Sequence, residues 1–127
     1  METVRRIESE KLPKINPLIS HAVAVGNLVI TGVEAGKWDD GTLGETVEEQ
    51  MDLAFRRLDE VLQVAGGSIH SALRIEGYLA DTAYSKAFND AYQRYFEGAA
   101  VPPCRFNFQV TFANPKMYVE ISAIAAI

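Results

Sequence analysis

The sequence predicts an α+β fold, a two-layer sandwich in which two helices cover one face of a mixed β-sheet. Three observations predict it. Hydrophobic spacing switches between the strand period of two and the helical period of 3.6, in the order strands, helix, strand, helix, two strands. Glycine- and proline-containing clusters separate those runs. The length, 127 residues at 48% hydrophobic content, suits one core and a single domain spanning residues 1–127.

The run HAVAVGNLVITGV holds two β-rich stretches, at about 21–25 and 28–33, on either side of Gly26-Asn27, a two-residue hairpin turn of the Gly-X kind. The following EAGKWDDGTLGE, rich in glycine and turn residues, is expected to be an exposed loop. Thr46 with Glu49 forms a capping-box pattern, and Val47, Met51, Ala54, Leu58, Val61, Leu62 and Ala65 recur at helical spacing until Gly66-Gly67 stops the helix. Over 72–80, Leu73, Ile75 and Leu79 alternate with Arg74, Glu76 and Tyr78, which predicts a strand with unlike faces. Asp81 or Thr82 caps a second helix whose buried stripe is Tyr84, Phe88, Ala91, Tyr92 and Tyr95. Gly98, Pro102 and Pro103 close that segment.

Two strands complete the chain. In PPCRFNFQV, alternation sends Cys104, Phe106, Phe108 and Val110 to one face, expected to be the helix side, and Arg105, Asn107, Gln109 and Thr111 to the other. In MYVEISAIAAI, Met117, Val119, Ile121 and Ala123 oppose Tyr118, Glu120, Ser122 and Ile124. With both helices on one side, the other sheet face is left uncovered. It would collect Tyr78, Tyr118 and Ile124 beside Arg105, Asn107 and Glu120, a mixture that suits a subunit interface better than open water. An oligomer is therefore expected, with Arg105 in a partly desolvated cleft.

A net charge of −5 without a basic cluster argues against nucleic acid as a partner. Cys104, the only cysteine, can form no internal disulfide, and with His21 and His70 it makes no metal-ligand cluster, so a reducing compartment and no structural metal are expected. The charged amino terminus lacks the apolar stretch of a signal peptide, and no run reaches the length of a membrane span. A cytoplasmic protein without membrane partners is the expectation.

Several ordered segments together resemble the YjgF/RidA family of reactive-intermediate deaminases: SHAVAVGNLVITG, EEQMDLAFRRLDEVLQVAGGS, FNDAYQRYF, PPCRFNFQV and PKMYVEISAIA. The resemblance covers almost the whole chain. It implies a chorismate-mutase-like fold assembled as a homotrimer, with active sites in the clefts between subunits. It also implies hydrolysis of small enamine or imine acids to 2-oxo acids and ammonia, without metal or organic cofactor. Arg105 stands at the position of the family's carboxylate-binding arginine, a role that suits a guanidinium fork. Glu120 matches the acidic residue thought to position the attacking water or manage its proton, and its alternative is an interface ion partner. Thr31 replaces a common serine and keeps the hydroxyl, and Asn89 matches a helix asparagine that is structural or ligand-contacting.

The departures bear on the substrate. Ile19 stands where the family has a pocket tyrosine, so that hydroxyl is lost, or Ile19 simply packs at an interface. Phe106 and Asn107 occur where small residues are common, and Asn107 shares the face of Arg105, adding an amide to the pocket. Val33 replaces a glutamine, while Glu34 and Trp38 fall in the loop expected at the pocket rim. His21 is either a substitute proton donor or an ordinary hydrogen-bonded histidine. Cys104 has no histidine placed beside it by sequence and is not expected to be a nucleophile. Three readings follow: a general enamine/imine deaminase, a specialised ring-cleavage deaminase for a 2-aminomuconate-like dicarboxylate, and a non-catalytic metabolite-binding or regulatory trimer. The ribonuclease activity attached to the family name has no electrostatic support in this chain.

Overall fold

In the computed structural model, which describes residues 2–127, the elements run β1 (Arg5–Ile7), β2 (Ala22–Val25), β3 (Leu28–Thr31), β4 (Glu34–Ala35), α1 (Val47–Val64), β5 (Ala72–Leu79), α2 (Ser85–Phe96), β6 (Cys104–Gln109) and β7 (Val119–Ala126). They form one mixed sheet in the order β1-β2-β3-β7-β5-β6, with β4 also paired to β7. Only β5 and β6 are parallel, joined by the crossover through α2. The α+β sandwich follows the periodicity in the sequence. β1 shows no such pattern, having only three residues, two of them arginine.

Alternation sets the buried side of each strand. Ala22, Ala24, Val29, Ile75, Leu79, Val119, Ile121, Ala123 and Ala125 face the helices in one core. Against them α1 packs Met51, Ala54, Phe55, Leu58, Val61 and Leu62, and α2 packs Phe88, Ala91 and Phe96. Phe55 links the two helices, 5.4 Å from the ring centroids of both Phe88 and Tyr95. On the uncovered face Val25, Leu28, Ile30 and Phe108 remain 41–60% exposed, an apolar patch of the kind that marks an interaction surface.

The helix ends follow the expected chemistry with local changes. Thr46 caps α1 by accepting from the Glu49 amide, but the Glu49 carboxylate accepts from the Glu45 amide, one residue before the cap. Gly66, with φ +110°, ends the helix. Asp81 caps a 3₁₀ turn, Thr82–Tyr84, which leads into α2.

Four expectations need correction. A bulge between Ala72 and Arg74 lets Ala72 take the buried place, so Leu73 turns out to solvent and is not on the face of Ile75. The segment from Glu34 is not wholly an exposed loop. β3 stops pairing with β7 at Ile30, and β4 then continues the ladder with Glu34 opposite Ile121, burying the Glu34 side chain. The stretch 28–33 accordingly ends as a strand at Thr31. Finally, the two faces of β6 are reversed. In the parallel register Arg105 lies beside Ile75 and Asn107 beside Gly77, so both point to the helix side, while Cys104, Phe106 and Phe108 point to the uncovered face.

Gln50 ties the loops to this frame. Fully buried on α1, it donates to the carbonyls of Gly44 and Lys116 at 2.9 and 2.8 Å and accepts from the Tyr118 amide at 2.8 Å. One amide thus satisfies the α1 entry loop and the entry to β7, which carries Glu120. Gln50→Leu, of similar volume, strands these three backbone groups. It should cost about 3 kcal/mol or more in urea unfolding, and a loss below about 1 kcal/mol would show that the hub is dispensable.

Candidate active site

Arg105 sits on the edge strand β6 just after Pro102-Pro103. Its guanidinium lies 4.7 Å from the Tyr92 ring centroid and 5.6 Å from that of Phe88, both on α2. Aromatic faces suit this flat, weakly hydrated cation and hold it in place. Among the described residues no carboxylate pairs with it. An exposed guanidinium, fixed from behind and lacking a counter-ion, can receive a carboxylate through two charge-assisted hydrogen bonds.

Asn107 is next on the same face, and Gly77 makes room for it. A Cβ at Gly77 would lie 2.6 Å from Asn107 Oδ1 and 2.8 Å from the Phe88 ring. That Oδ1 is buried without a hydrogen-bond partner among the described residues. Asn89 is on the exposed side of α2, where its side chain makes no hydrogen bond to the described residues. Cys104 is exposed on the opposite face from Arg105.

Glu120 lies on β7, opposite Tyr78 of β5 and Ala35 of β4. It is half-buried in a cavity of about 270 Å³ whose wall includes Glu34, His21, Lys37, Trp38 and Arg57. Burial pushes its carboxyl above the ordinary value, against the pull of Lys37 and with a further push from Glu34. The sequence reading placed Glu34 and Trp38 at the pocket rim, where both do line the cavity, but it missed the burial of Glu34 and the cation Lys37. The only available signal was an acid directly after a strand-like run, in TGVE.

The other expected site residues are placed as follows. The Thr31 hydroxyl donates to Gly32 O at 2.8 Å and accepts from the Ala123 amide at 2.9 Å, bridging the gap where β3 leaves β7. Ile19 is exposed in the segment before β2, its carbonyl accepting from Arg6 at 2.6 Å. His21 joins Glu34 to the Pro13 carbonyl, each at 2.8 Å. Within one chain, Arg105 and Glu120 do not meet. They leave opposite faces of the sheet, and β5 lies between their strands.

A larger cleft of about 460 Å³, with Trp38 and Tyr95 in its wall, runs between α1 and α2. Its arginines are already paired, Arg94 with Asp52 and Arg56 with Asp39 and Glu60, so among the described residues it offers no free cation to a ligand carboxylate. Among the described residues no three His, Cys, Asp or Glu side chains form a metal-binding group, and no helix is long and apolar enough to cross a membrane.

Two outcomes are expected from this geometry. Gly77→Ala should push β6 away from Phe88, lowering stability by about 1–3 kcal/mol in urea unfolding; an unchanged value would show that β6 adjusts freely. Glu34 and Glu120 both have folded values raised above the unfolded ones. Their stabilising effect is therefore complete at low pH and is lost as pH rises through the raised values. Glu120→Gln should shrink that fall in urea midpoints measured from about pH 4 upward, with little change at the acid end.

The fold recurs in known proteins. The family model described as Endoribonuclease L-PSP matches residues 10–127. Reactive Intermediate Deaminase A, chloroplastic, of Arabidopsis thaliana is 31% identical over 95% of this chain, which spans 65% of that protein's length. The mouse 2-iminobutanoate/2-iminopropanoate deaminase is 29% identical over 94% of this chain and 88% of its own. A crystal structure of YyfA, a Rid-family protein from Yersinia pestis described as of unknown function, superposes with a TM-score of 0.90 at 24% identity, covering 98% of this chain and all of that one. With the family model extending from the segment before β2 to the last residue, over the strands that carry Arg105 and Glu120, this chain belongs to the Endoribonuclease L-PSP family, also called YjgF/RidA.

Proposed function

We propose that the protein is a cofactor-independent hydrolytic deaminase that converts small enamine or imine acids to 2-oxo acids and ammonia. One observation carries this reading: the Arg105 guanidinium lies across Tyr92 and Phe88 on an open sheet edge, with no acidic partner among the described residues. Such a cation is prepared for a ligand carboxylate. The relatives named as reactive-intermediate and 2-iminobutanoate/2-iminopropanoate deaminases support the reaction class.

Arg105 holds the substrate carboxylate, and Glu120, raised by burial, takes a proton from the attacking water. Because the two residues lie apart in one chain, the working site combines Arg105 of one copy with Glu120 of another. The apolar uncovered face bearing Val25, Leu28, Ile30 and Phe108 offers the surface for that assembly, proposed to be a homotrimer. Enamines and imines hydrolyse unaided, so positioning can supply much of the acceleration required. The free cysteine fits a reducing compartment such as the cytoplasm.

The lost hydroxyl at Ile19 and the Thr31 hydroxyl committed to the sheet favour one second reading, a trimer that binds 2-oxo acids without turnover. Release of ammonia and 2-oxo acid from enzymatically generated imino acids separates the two. Acceleration over buffer should fall about 100-fold in Arg105→Ala, the loss of two charge-assisted bonds of about 1.5 kcal/mol each. Absence of acceleration across side-chain sizes, with tight 2-oxo acid binding, would instead establish the binding protein. Refolding Arg105→Ala together with Glu120→Gln should restore about a quarter of the sites if two copies share each one. No recovery would place both residues' work within a single chain.

A further inference from the structure

The cavity that holds Glu120 also presents two cations that the chain itself leaves without an acid. Lys14, from the segment before β2, and Lys37, from the hairpin after β4, both line it. Neither forms an ion pair among the described residues. Two of the three acids on the same wall are engaged elsewhere, Asp39 by Arg57 at 2.7 Å and Glu34 by His21 at 2.8 Å. That leaves two ammonium groups to the single carboxylate of Glu120. The charge of Lys37 is felt at Glu120, so the two lie within Coulombic reach of one another.

The backbone beneath these lysines is fixed. Lys37 bridges to Leu43, the Trp38 amide donates to the Thr42 carbonyl at 2.8 Å, and the Gly44 amide donates to the Gly36 carbonyl at 2.9 Å. Gly36 lies so close to α1 that a Cβ there would stand 2.2 Å from the Gln50 carbonyl oxygen. The hairpin is therefore pinned to the helix, and with it the root of the Lys37 side chain. Lys14 follows Pro13, whose carbonyl is held by His21 at 2.8 Å. Ile15, Val33 and Met117 add apolar surface to the same wall, and the space enclosed is about 270 Å³. An apolar lining with ammonium groups on it suits a short carbon chain that ends in an anion.

We propose that this cavity is a specificity subsite for a second carboxylate, so that the preferred substrates are 2-imino diacids of the size derived from aspartate or glutamate, with Lys37 binding the distal carboxylate and Lys14 assisting. This rests on the deaminase reading, in which Arg105 of another copy holds the carboxylate next to the imine. Glu120 then meets the imine carbon, Ile15, Val33 and Met117 pack against the methylene groups, and the far carboxylate takes charge-assisted hydrogen bonds from lysine. An ammonium on a flexible stem donates in several directions, which suits chains of two lengths. A substrate with an apolar end gains nothing from these cations and takes apolar surface up to charged groups that must stay hydrated. The sorting is therefore by charge, between substrates of equal length.

The test compares kcat/KM for 2-iminoglutarate and 2-iminopentanoate, each generated in situ by an amino acid oxidase; the two differ by a carboxylate in place of a terminal methyl. Wild type should prefer the diacid about 10-fold, the worth of one charge-assisted hydrogen bond. Lys37→Met, which keeps the stem, should remove most of that preference through the KM of the diacid, and Lys37→Arg should retain it. Loss of a charge near Glu120 affects both substrates alike, so the ratio between them reads the subsite. Equal kcat/KM for the two in wild type, or a preference unchanged by Lys37→Met, would overturn the inference, while turnover of 2-iminopentanoate leaves the deaminase reading standing. Acceleration of neither imine would fail the deaminase reading itself. Calorimetry with 2-oxoglutarate and 2-oxopentanoate then decides the subsite: tighter binding of the diacid that Lys37→Met abolishes supports it, and equal binding overturns it.

Discussion

The parallel register of β6 against β5 governs the arrangement on which the proposed chemistry depends. Gly77 has no side chain, so Asn107 can tuck beside it and α2 can bring Phe88 close. That register turns Arg105 toward Tyr92 and Phe88, and turns Phe106 and Phe108 outward beside Tyr78. The cation gains two aromatic faces while its charged edge stays in water. The same register separates Arg105 from Glu120 by a face and a strand, which is why the proposed site needs two copies.

Elsewhere, the sheet is held at its interruptions by side chains standing in for backbone. Where β3 departs from β7, Thr31 accepts from the Ala123 amide. Where β7 begins, Gln50 accepts from the Tyr118 amide and donates to the Lys116 carbonyl. Where β4 buries an acid, His21 links it to Pro13. Each resolves the same constraint, that a buried polar group without a partner is expensive. Gln50 and Thr31 thereby fix β7, and β7 delivers Glu120 to its cavity.

Much of this architecture was legible in the residues. Capping at Thr46, the stop at Gly66 and the inward set Val119, Ile121 and Ala123 come from local periodicity and turn chemistry, and each reappears in the structure. The α2 stripe reappears in part: Phe88 and Ala91 are buried and Tyr92 and Tyr95 partly so, but Tyr84 falls in the 3₁₀ turn before the helix, Phe96 is buried as well, and in β7 Ser122 is buried against the expected alternation. The division of β6 into an Arg105 set and a Phe106 set was also legible, although the face that each occupies was not. Leu73 and Glu34 were misplaced for related reasons: a bulge shifts the phase of alternation, and a two-residue strand is too short to have a phase.

The sequence by itself determined the kind and order of the elements, the single core and the residue types available for chemistry, because helix and strand periods and turn chemistry act over a few neighbouring residues. Only the tertiary structure decided which side of β6 meets the helices, that Glu34 lies inside beside His21, and that Arg105 and Glu120 are apart in one chain. Those outcomes depend on pairing between residues far apart in sequence, where a single step in register exchanges the faces.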